Sequence, residues 1–397
     1  MNNNDNRQET SRALTLLLGI LIALSALGTD LYVPALPDVA ASFGSPVSAV
    51  QLTLTTYFLG LAIGQLIWGP LSDRYGRRPV LLSALGIMLA VTAAAPFMPS
   101  IGALVAARLV QGIGMSGGVV VARSIVRDLH AHEQAARLLA RMLMVFSVVP
   151  IAAPISGALL TAHAGWRAIF WTYVLIASGL LVAVAAGLRE TAPAERRSAR
   201  PGDIVRGLGR IVADARFQAP LLVFLSCQMG ILAWVAASAF TLAHMGVAVD
   251  AYGWMFAGVM LGQIAGAWVA SRFVLRIGSA RLLRAGSWLV LLGGVAAAVL
   301  AWSGAGHWLA MVAPFTVLLF GSALIIPSAM SLALSPFPQA AGAASSLIGA
   351  IGFTAGAGLS TLLGALFDGT ARPMGTVAAL AGLAAFAFER RLAHGQR

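Results

Sequence analysis

The stretch Gly69-Pro70-Leu71-Ser72-Asp73-Arg74-Tyr75-Gly76-Arg77-Arg78-Pro79 sets four charged side chains and a glycine turn between two long apolar runs. A connector this short and this charged belongs at a membrane surface, because neither apolar flank leaves the lipid. Those flanks are two of a series. Apolar runs fall at about 13–35, 48–70, 80–98, 101–126, 138–162, 167–188, 218–243, 252–271, 282–302, 307–333, 341–366 and 373–388. Each has about the 20 residues that a spanning helix needs. Helix breakers (Pro46, Pro99, Gly165, Gly304, Gly306, Pro336, Pro338, Pro373) sit in the gaps. Charged residues make up 10% of the chain, against about 25% in a soluble domain. The mean hydropathy of +0.86 agrees. The expected fold is an all-α polytopic membrane protein of twelve transmembrane helices.

Arginine placement orients the chain. There is no lysine, so all 26 basic residues are arginine. With the N-terminus in the cytoplasm, twenty-two arginines fall in cytoplasmic segments. The outer loops hold only Arg167 and Arg372, and Arg108 and Arg123 lie within the fourth span. This bias places both termini in the cytoplasm. It also makes the net charge of +12 a matter of topology. No basic stripe with interleaved aromatics suggests nucleic acid. The polar N-terminus enters its apolar run with no small-residue cleavage site, so the first helix is expected to stay uncleaved. Cys227 is the single cysteine and forms no internal disulfide.

One long polar connector, at 189–217, divides the chain into an N-terminal bundle (1–188) and a C-terminal bundle (218–397). It reads as a solvated linker on the anionic inner leaflet, with a regulatory docking segment as the alternative. The halves repeat. Gly64-Gln65 matches Gly262-Gln263, and Arg74-x-Gly76 matches Arg276-x-Gly278 at nearly the same offset. Two parallel six-helix repeats around a central cavity is a transporter architecture, with substrate held near the midplane.

Two charges lie well inside apolar runs, Asp30 in the first span and Arg108 in the fourth. If the first span ends near Pro37 and the fourth begins near Pro99, their depths are about 10 and 13 Å below the outer edge. An unpaired charge there costs at least about 2.5–3.5 kcal/mol. Each side chain is therefore expected to face a wet cavity or the other. They form either a static ion pair or a titratable carboxylate beside a substrate path. Asp30 is the titrating candidate, because arginine stays protonated, and Arg108 would tune it. Gln111, one helical turn on, is a cavity polar group or an interhelical hydrogen bonder.

Tyr32, Tyr57, Gln228, Trp234 and Phe315 are further candidates for the cavity wall, with Gln65, Gln263, Phe224 and Phe353 behind them. Pro150, Pro154 and Gly157 in the fifth span predict a fixed bend, either for packing or as part of a moving bundle. The small residues of the eleventh span, including Gly352 and Gly356, predict close helix packing. Asp73, Arg74, Gly76, Arg77 and Arg78 are expected to form a conformational latch. In it Asp73 caps a helix end near the start of the eleventh span, and Arg77 or Arg78 pairs with Asp128. Topogenic charge alone is the other reading. No metal site, P-loop or catalytic dyad is found, which argues against an enzyme or an ATP-driven pump.

These segments resemble the twelve-helix drug:proton antiporter branch of the major facilitator superfamily. They are similar in particular to the bicyclomycin and chloramphenicol/florfenicol resistance exporters, the Bcr/CflA group. The likeness rests on Thr29 to Pro37, on Gln51 to Leu54 leading into Gly69 to Arg78, on Arg108 to Gly117 with Arg127-Asp128, and on the fifth-span prolines. There, Ala153 and Ala158 depart from the family's Gly-Pro and paired glycines. The resemblance implies the major facilitator fold in a bacterial inner membrane and no cofactor beyond the proton gradient. It implies proton-coupled efflux of a small hydrophobic drug, with Asp30 and Arg108 in recognition and coupling. The expected partners are drug, protons and the lipid bilayer, in a monomer. A facilitator or exporter of a small metabolite on the same fold is the alternative.

Overall fold

The computed structural model describes residues 3–129, 132–192 and 201–395. In lipid every backbone N–H and C=O must be satisfied within the chain, and helices do this segment by segment. The described residues are accordingly helical, without a strand. In order they form α1 (Asn3–Asp30), α2 (Leu36–Phe43), α3 (Val47–Tyr75), α4 (Arg77–Ala94), α5 (Ile101–Leu129), α6 (His132–Ala164) and α7 (Arg167–Gly187). After these come α8 (Pro201–Ala213), α9 (Ala215–His244), α10 (Val249–Ile277), α11 (Ser279–Trp302), α12 (Leu309–Leu334), α13 (Ala341–Leu366) and α14 (Arg372–Gly395).

Setting aside the short α2 and α8, twelve helices have membrane length. Eleven of them are also apolar enough to cross on composition. The twelfth, α14, is apolar only between Arg372 and Glu389, so its flanking charges dilute it.

Two expectations about boundaries change. The first span does not run as one helix to Pro37. Regular α-helix stops at Asp30, and a 3₁₀ turn at Val33–Ala35 leads into α2. Pro34 and Pro37 enforce the change, since each occupies the first turn of a new element, where its missing N–H is no loss. Asp30 is therefore at a helix C-terminus. The polar connector is also partly folded. Its residues 201–213 form α8, whose Leu208 and Ile211 pack beside Phe217, Ala344 and Leu347; residues 193–200 lie outside the described residues.

The internal repeat is visible in the backbone. α3 turns into α4 at Gly76 (φ 99°), and α10 into α11 at Gly278 (φ 86°). Both joints need the left-handed region that glycine enters without strain. Arg74-x-Gly76 and Arg276-x-Gly278 thus hold equivalent corners. In the first half, α3 and α5 cross with Gly60 and Gly112 face to face, so close that a Cβ on either would strike backbone of the other helix. In the second half, Gly262 and Gly266 of α10 meet Thr316 and Phe320 of α12 in the same way. Small residues drive such crossings, because lipid supplies no hydrophobic force between helices.

The halves meet along two seams, α3 with α13 and α6 with α10. Toward the face bearing Val47 the first seam is polar. Ser360 Oγ donates to the Gln51 carbonyl (3.4 Å) and the hydroxyls of Thr55 and Thr361 are 3.1 Å apart, while Gln51 Nε2 reaches past α13 to the Ala236 carbonyl of α9 (2.6 Å). At mid-depth Phe58 stacks on Phe353. In the second seam Gly253 lies against the Pro154 carbonyl.

Side chains forced into the α3–α5 crossing have no room to relax, and overpacking costs about 1–3 kcal/mol. Gly112→Leu is expected to abolish the monodisperse size-exclusion peak of detergent-purified protein. Gly86→Ala, at a position with open space around it, is expected to leave the peak unchanged.

Candidate functional site

The site is built around the end of α1. The last four carbonyls of a helix have no intrahelical partner, and their dipoles favour a cation. Arg108 of α5 fills this role. Its Nη2 donates to the Gly28 carbonyl (2.9 Å) and its Nη1 to Gln111 Oε1 (2.6 Å). Gln111 in turn donates to Thr92 Oγ1 (2.9 Å). The guanidinium lies over the rings of Tyr32 (4.3 Å) and Tyr57 (4.2 Å). Tyr57 and Tyr173 donate to the Ser25 and Leu27 carbonyls of the same helix end (2.7 and 3.0 Å). Arg108 is 0% exposed. A buried arginine can be held this way, by a carbonyl, an amide and two π-faces without a carboxylate.

This changes three expectations. Arg108 faces neither a cavity nor Asp30. Among the described residues no ion pair joins the two, although Arg108 does lie at the depth of Asp30, bonded to the carbonyl two residues earlier. Tyr32, Tyr57 and Gln111 form the cage of Arg108 and do not line the cavity. Trp234 and Phe315 also lie off the cavity, each 0% exposed. They stack on one another at 5.2 Å, and Trp234 also meets Phe256, inside the second half.

Asp30 points elsewhere. It lines a cavity of about 200 Å³ between the halves, with Thr29, Phe58, Pro150, Gln228 and Gln263. Its carboxylate has no hydrogen bond or ion pair among the described residues. A second cavity, of about 280 Å³, adjoins it and shares Ser25, Phe146, Gln228 and Phe353. This one runs toward the arginine-rich face, past Gln65, Phe224 and Ser345, to Arg123. Of the six expected cavity residues, only Gln228 lines the space. The wall draws on α3, α6, α10 and α13 as well as on α1, α5, α9 and α12. A carboxylate without a fixed counter-ion can gain or lose a proton without breaking a salt bridge. The aromatic walls suit an apolar ligand, with few polar groups to orient it.

The charged turn is a compact cluster on the arginine-rich face. Arg77, 3% exposed, bridges two carboxylates: Nε donates to Asp128 Oδ2 (2.8 Å), and Nη1 pairs with Asp73 Oδ1 (2.6 Å) and Ser72 Oγ (2.7 Å). Asp73 caps no helix. The capping carboxylate is Glu190, just past α7 at the start of the 189–217 connector. It accepts from the backbone N–H of Arg77 (2.8 Å) and Arg78 (3.1 Å) at the start of α4, and from Thr191 and Ala192 (both 2.9 Å). Gly76 has no side chain to keep that carboxylate away. Arg78 reaches the Ala185 carbonyl (2.6 Å), and Arg74 lies over the Tyr75 ring. The side chain against the start of α13, at Gly342, is Arg127. In α6 the helix continues through Pro150 and Pro154, and Gly157 lets the Leu31 carbonyl approach its backbone. No group of three metal-ligating side chains occurs among the described residues.

Comparison with known proteins places this geometry. The profile of the Major Facilitator Superfamily matches residues 18–361. A Haemophilus influenzae protein named bicyclomycin resistance protein homolog is 31% identical over 93% of this chain and 93% of its own. An Escherichia coli protein named multidrug resistance protein D is 30% identical over 93% of each. Among solved structures, the xylose transporter XylE from E. coli in a partially occluded inward-open conformation superposes with a TM-score of 0.74. It covers 96% of this chain and 98% of its own, at 15% identity, a likeness of fold.

Partial burial pushes the Glu190 carboxyl up, but the N–H groups of Ala192, Arg77, Arg78 and Thr191 outweigh it and hold it below its ordinary value of 4.5. A depressed native value means that the cap stabilises the fold above about 4.5 and is lost as pH falls through that lower value. Glu190→Ala is expected to lower the melting temperature at neutral pH, by an amount at the low end of the roughly 0.5–2 kcal/mol of a helix cap because the site is exposed. Tryptophan-fluorescence melts should show the gap between wild type and variant closing in acid. A gap that persists there would exclude the cap.

Proposed function

Because this chain belongs to the Major Facilitator Superfamily, we propose that it is a proton-coupled exporter of small, largely apolar drugs, working by alternating access. The carrying observation is Asp30, a carboxylate without a partner among the described residues in the largely apolar space between the halves. The resistance names of the relatives point the same way. The chain is a transporter rather than an enzyme, acting as a monomer in a bacterial inner membrane, with the arginine-rich face in the cytoplasm.

In this reading, drug enters the cavity from the cytoplasmic side and competes with the proton on Asp30. The halves rock about the α3–α13 and α6–α10 seams, and the cavity opens outward. Drug leaves, Asp30 takes a proton from outside, and the protein returns. Arg108 keeps the end of α1 rigid, so that Asp30 is presented to the same space in every cycle. The Arg77, Asp73, Asp128 and Glu190 cluster acts as a latch on the cytoplasmic side. No covalent step occurs, and the proton gradient supplies the energy.

The test is a drug-susceptibility panel, including chloramphenicol and florfenicol, in a pump-deficient bacterium expressing the chain. Wild type is expected to raise resistance to at least one drug several-fold, and Asp30→Asn, matched for expression, to raise none. Full resistance with Asp30→Asn would sink the assignment. Export that survives collapse of the proton gradient would favour facilitated transport.

A further inference from the structure

We propose that the cavity binds the anionic group of its ligand on Arg123, which makes aromatic organic acids a ligand class of this protein. The inference rests on the reading that this cavity is the transport path.

Arg123 and Arg108 share α5 but have opposite surroundings. Arg108 is held by a carbonyl, an amide and two rings. Arg123 lines the cavity of about 280 Å³ between the halves. Among the described residues its guanidinium has no hydrogen bond, ion pair or aromatic face, and no carboxylate lines that cavity. Asp30 does not neutralise it. Asp30 lies at the level of Arg108, and Arg123 follows Arg108 by fifteen residues, about 22 Å along the helix.

An arginine does not shed its proton in a protein. Its charge therefore persists, and it is unpaired among the described residues until an anion joins it. The guanidinium fork matches a carboxylate through two parallel hydrogen bonds. The rest of the wall fits the remainder of such a molecule. Phe146, Phe224 and Phe353 offer aromatic surface. Gln65 lines the same cavity, and its Oε1 is buried with no hydrogen-bond partner among the described residues. An aromatic acid would meet the cation and the rings together.

A phosphate headgroup from lipid has the same charge, so the test separates the two. Full-length protein in phosphatidylcholine nanodiscs is titrated calorimetrically with 2-naphthoate, cinnamate and biphenyl-4-carboxylate, and with their primary carboxamides. At least one acid is expected to bind wild type about tenfold or more tightly than its amide, as a charge-assisted bidentate contact provides. Arg123→Gln should erase the preference, and Arg123→Lys, with charge but no fork, should keep part of it. Equal affinity for acid and amide in wild type, or no binding of any acid, would overturn the proposal without reference to any variant. So would a preference that survives Arg123→Gln. Loss of acid binding when phosphatidylglycerol replaces part of the phosphatidylcholine would assign Arg123 to lipid and also overturn it. No proton gradient is present in this assay, so a failed resistance panel leaves its result standing, and the reverse holds too.

Discussion

The hydrogen bond from Arg108 to the Gly28 carbonyl organises the centre of this protein. A helix that ends inside a membrane leaves carbonyls that no water can satisfy. Here Arg108 takes the Gly28 carbonyl, Tyr173 the Leu27 carbonyl and the Tyr32 N–H the Thr29 carbonyl; with Tyr57 on the Ser25 carbonyl just before, α1 is fixed to α5, α7 and α3 at one point. The helix end is thereby held, and Asp30, two residues on, has no hydrogen bond or ion pair among the described residues. The carbonyl takes the cation, and the carboxylate faces the cavity.

Two polar regions divide the work by location. The cluster around Arg77 ties α3, α4, α5 and the end of α7 together on one face, through two carboxylates and a helix cap. The polar contacts of Gln51, Thr55, Ser360 and Thr361 tie the halves together toward the other. Between them lies a space walled by phenylalanine, aliphatic and small side chains, with Asp30 lining one part and Arg123 the other. The first seam joins the halves through hydrogen bonds and aromatic stacking, which can break and reform, and the second through the close approach of Gly253 to α6. Within each half, glycine crossings hold the helices at backbone distance.

The fold and the position of Asp30 were legible in the sequence, because lipid makes hydrophobic length and arginine placement nearly deterministic. The matching glycine corners were legible too, since a left-handed joint leaves few choices of residue. The cavity wall was not. A spanning helix is apolar toward lipid and toward protein alike, so Trp234 and Phe315 look no different from Phe224 and Phe353. The seat of Arg108 was hidden because its partner is a backbone carbonyl, which no side-chain pattern announces. Glu190 was hidden by distance along the chain, since the backbone it caps lies more than a hundred residues earlier. Arg123 was visible only as a second charge in the fourth span, and it took the packing of α13 to show which way it faces.

If Asp30 couples the proton to transport, its protonation state governs how the two halves sit. Spin labels at positions 75 and 277, the exposed ends of α3 and α10, report the separation of the halves on the arginine-rich face by double electron–electron resonance. Taking purified protein from about pH 9 to about pH 5 crosses the range open to a protein carboxylate. The distance distribution is expected to shift in wild type and to stay fixed in Asp30→Asn. An identical pH response in both proteins would exclude that role of Asp30.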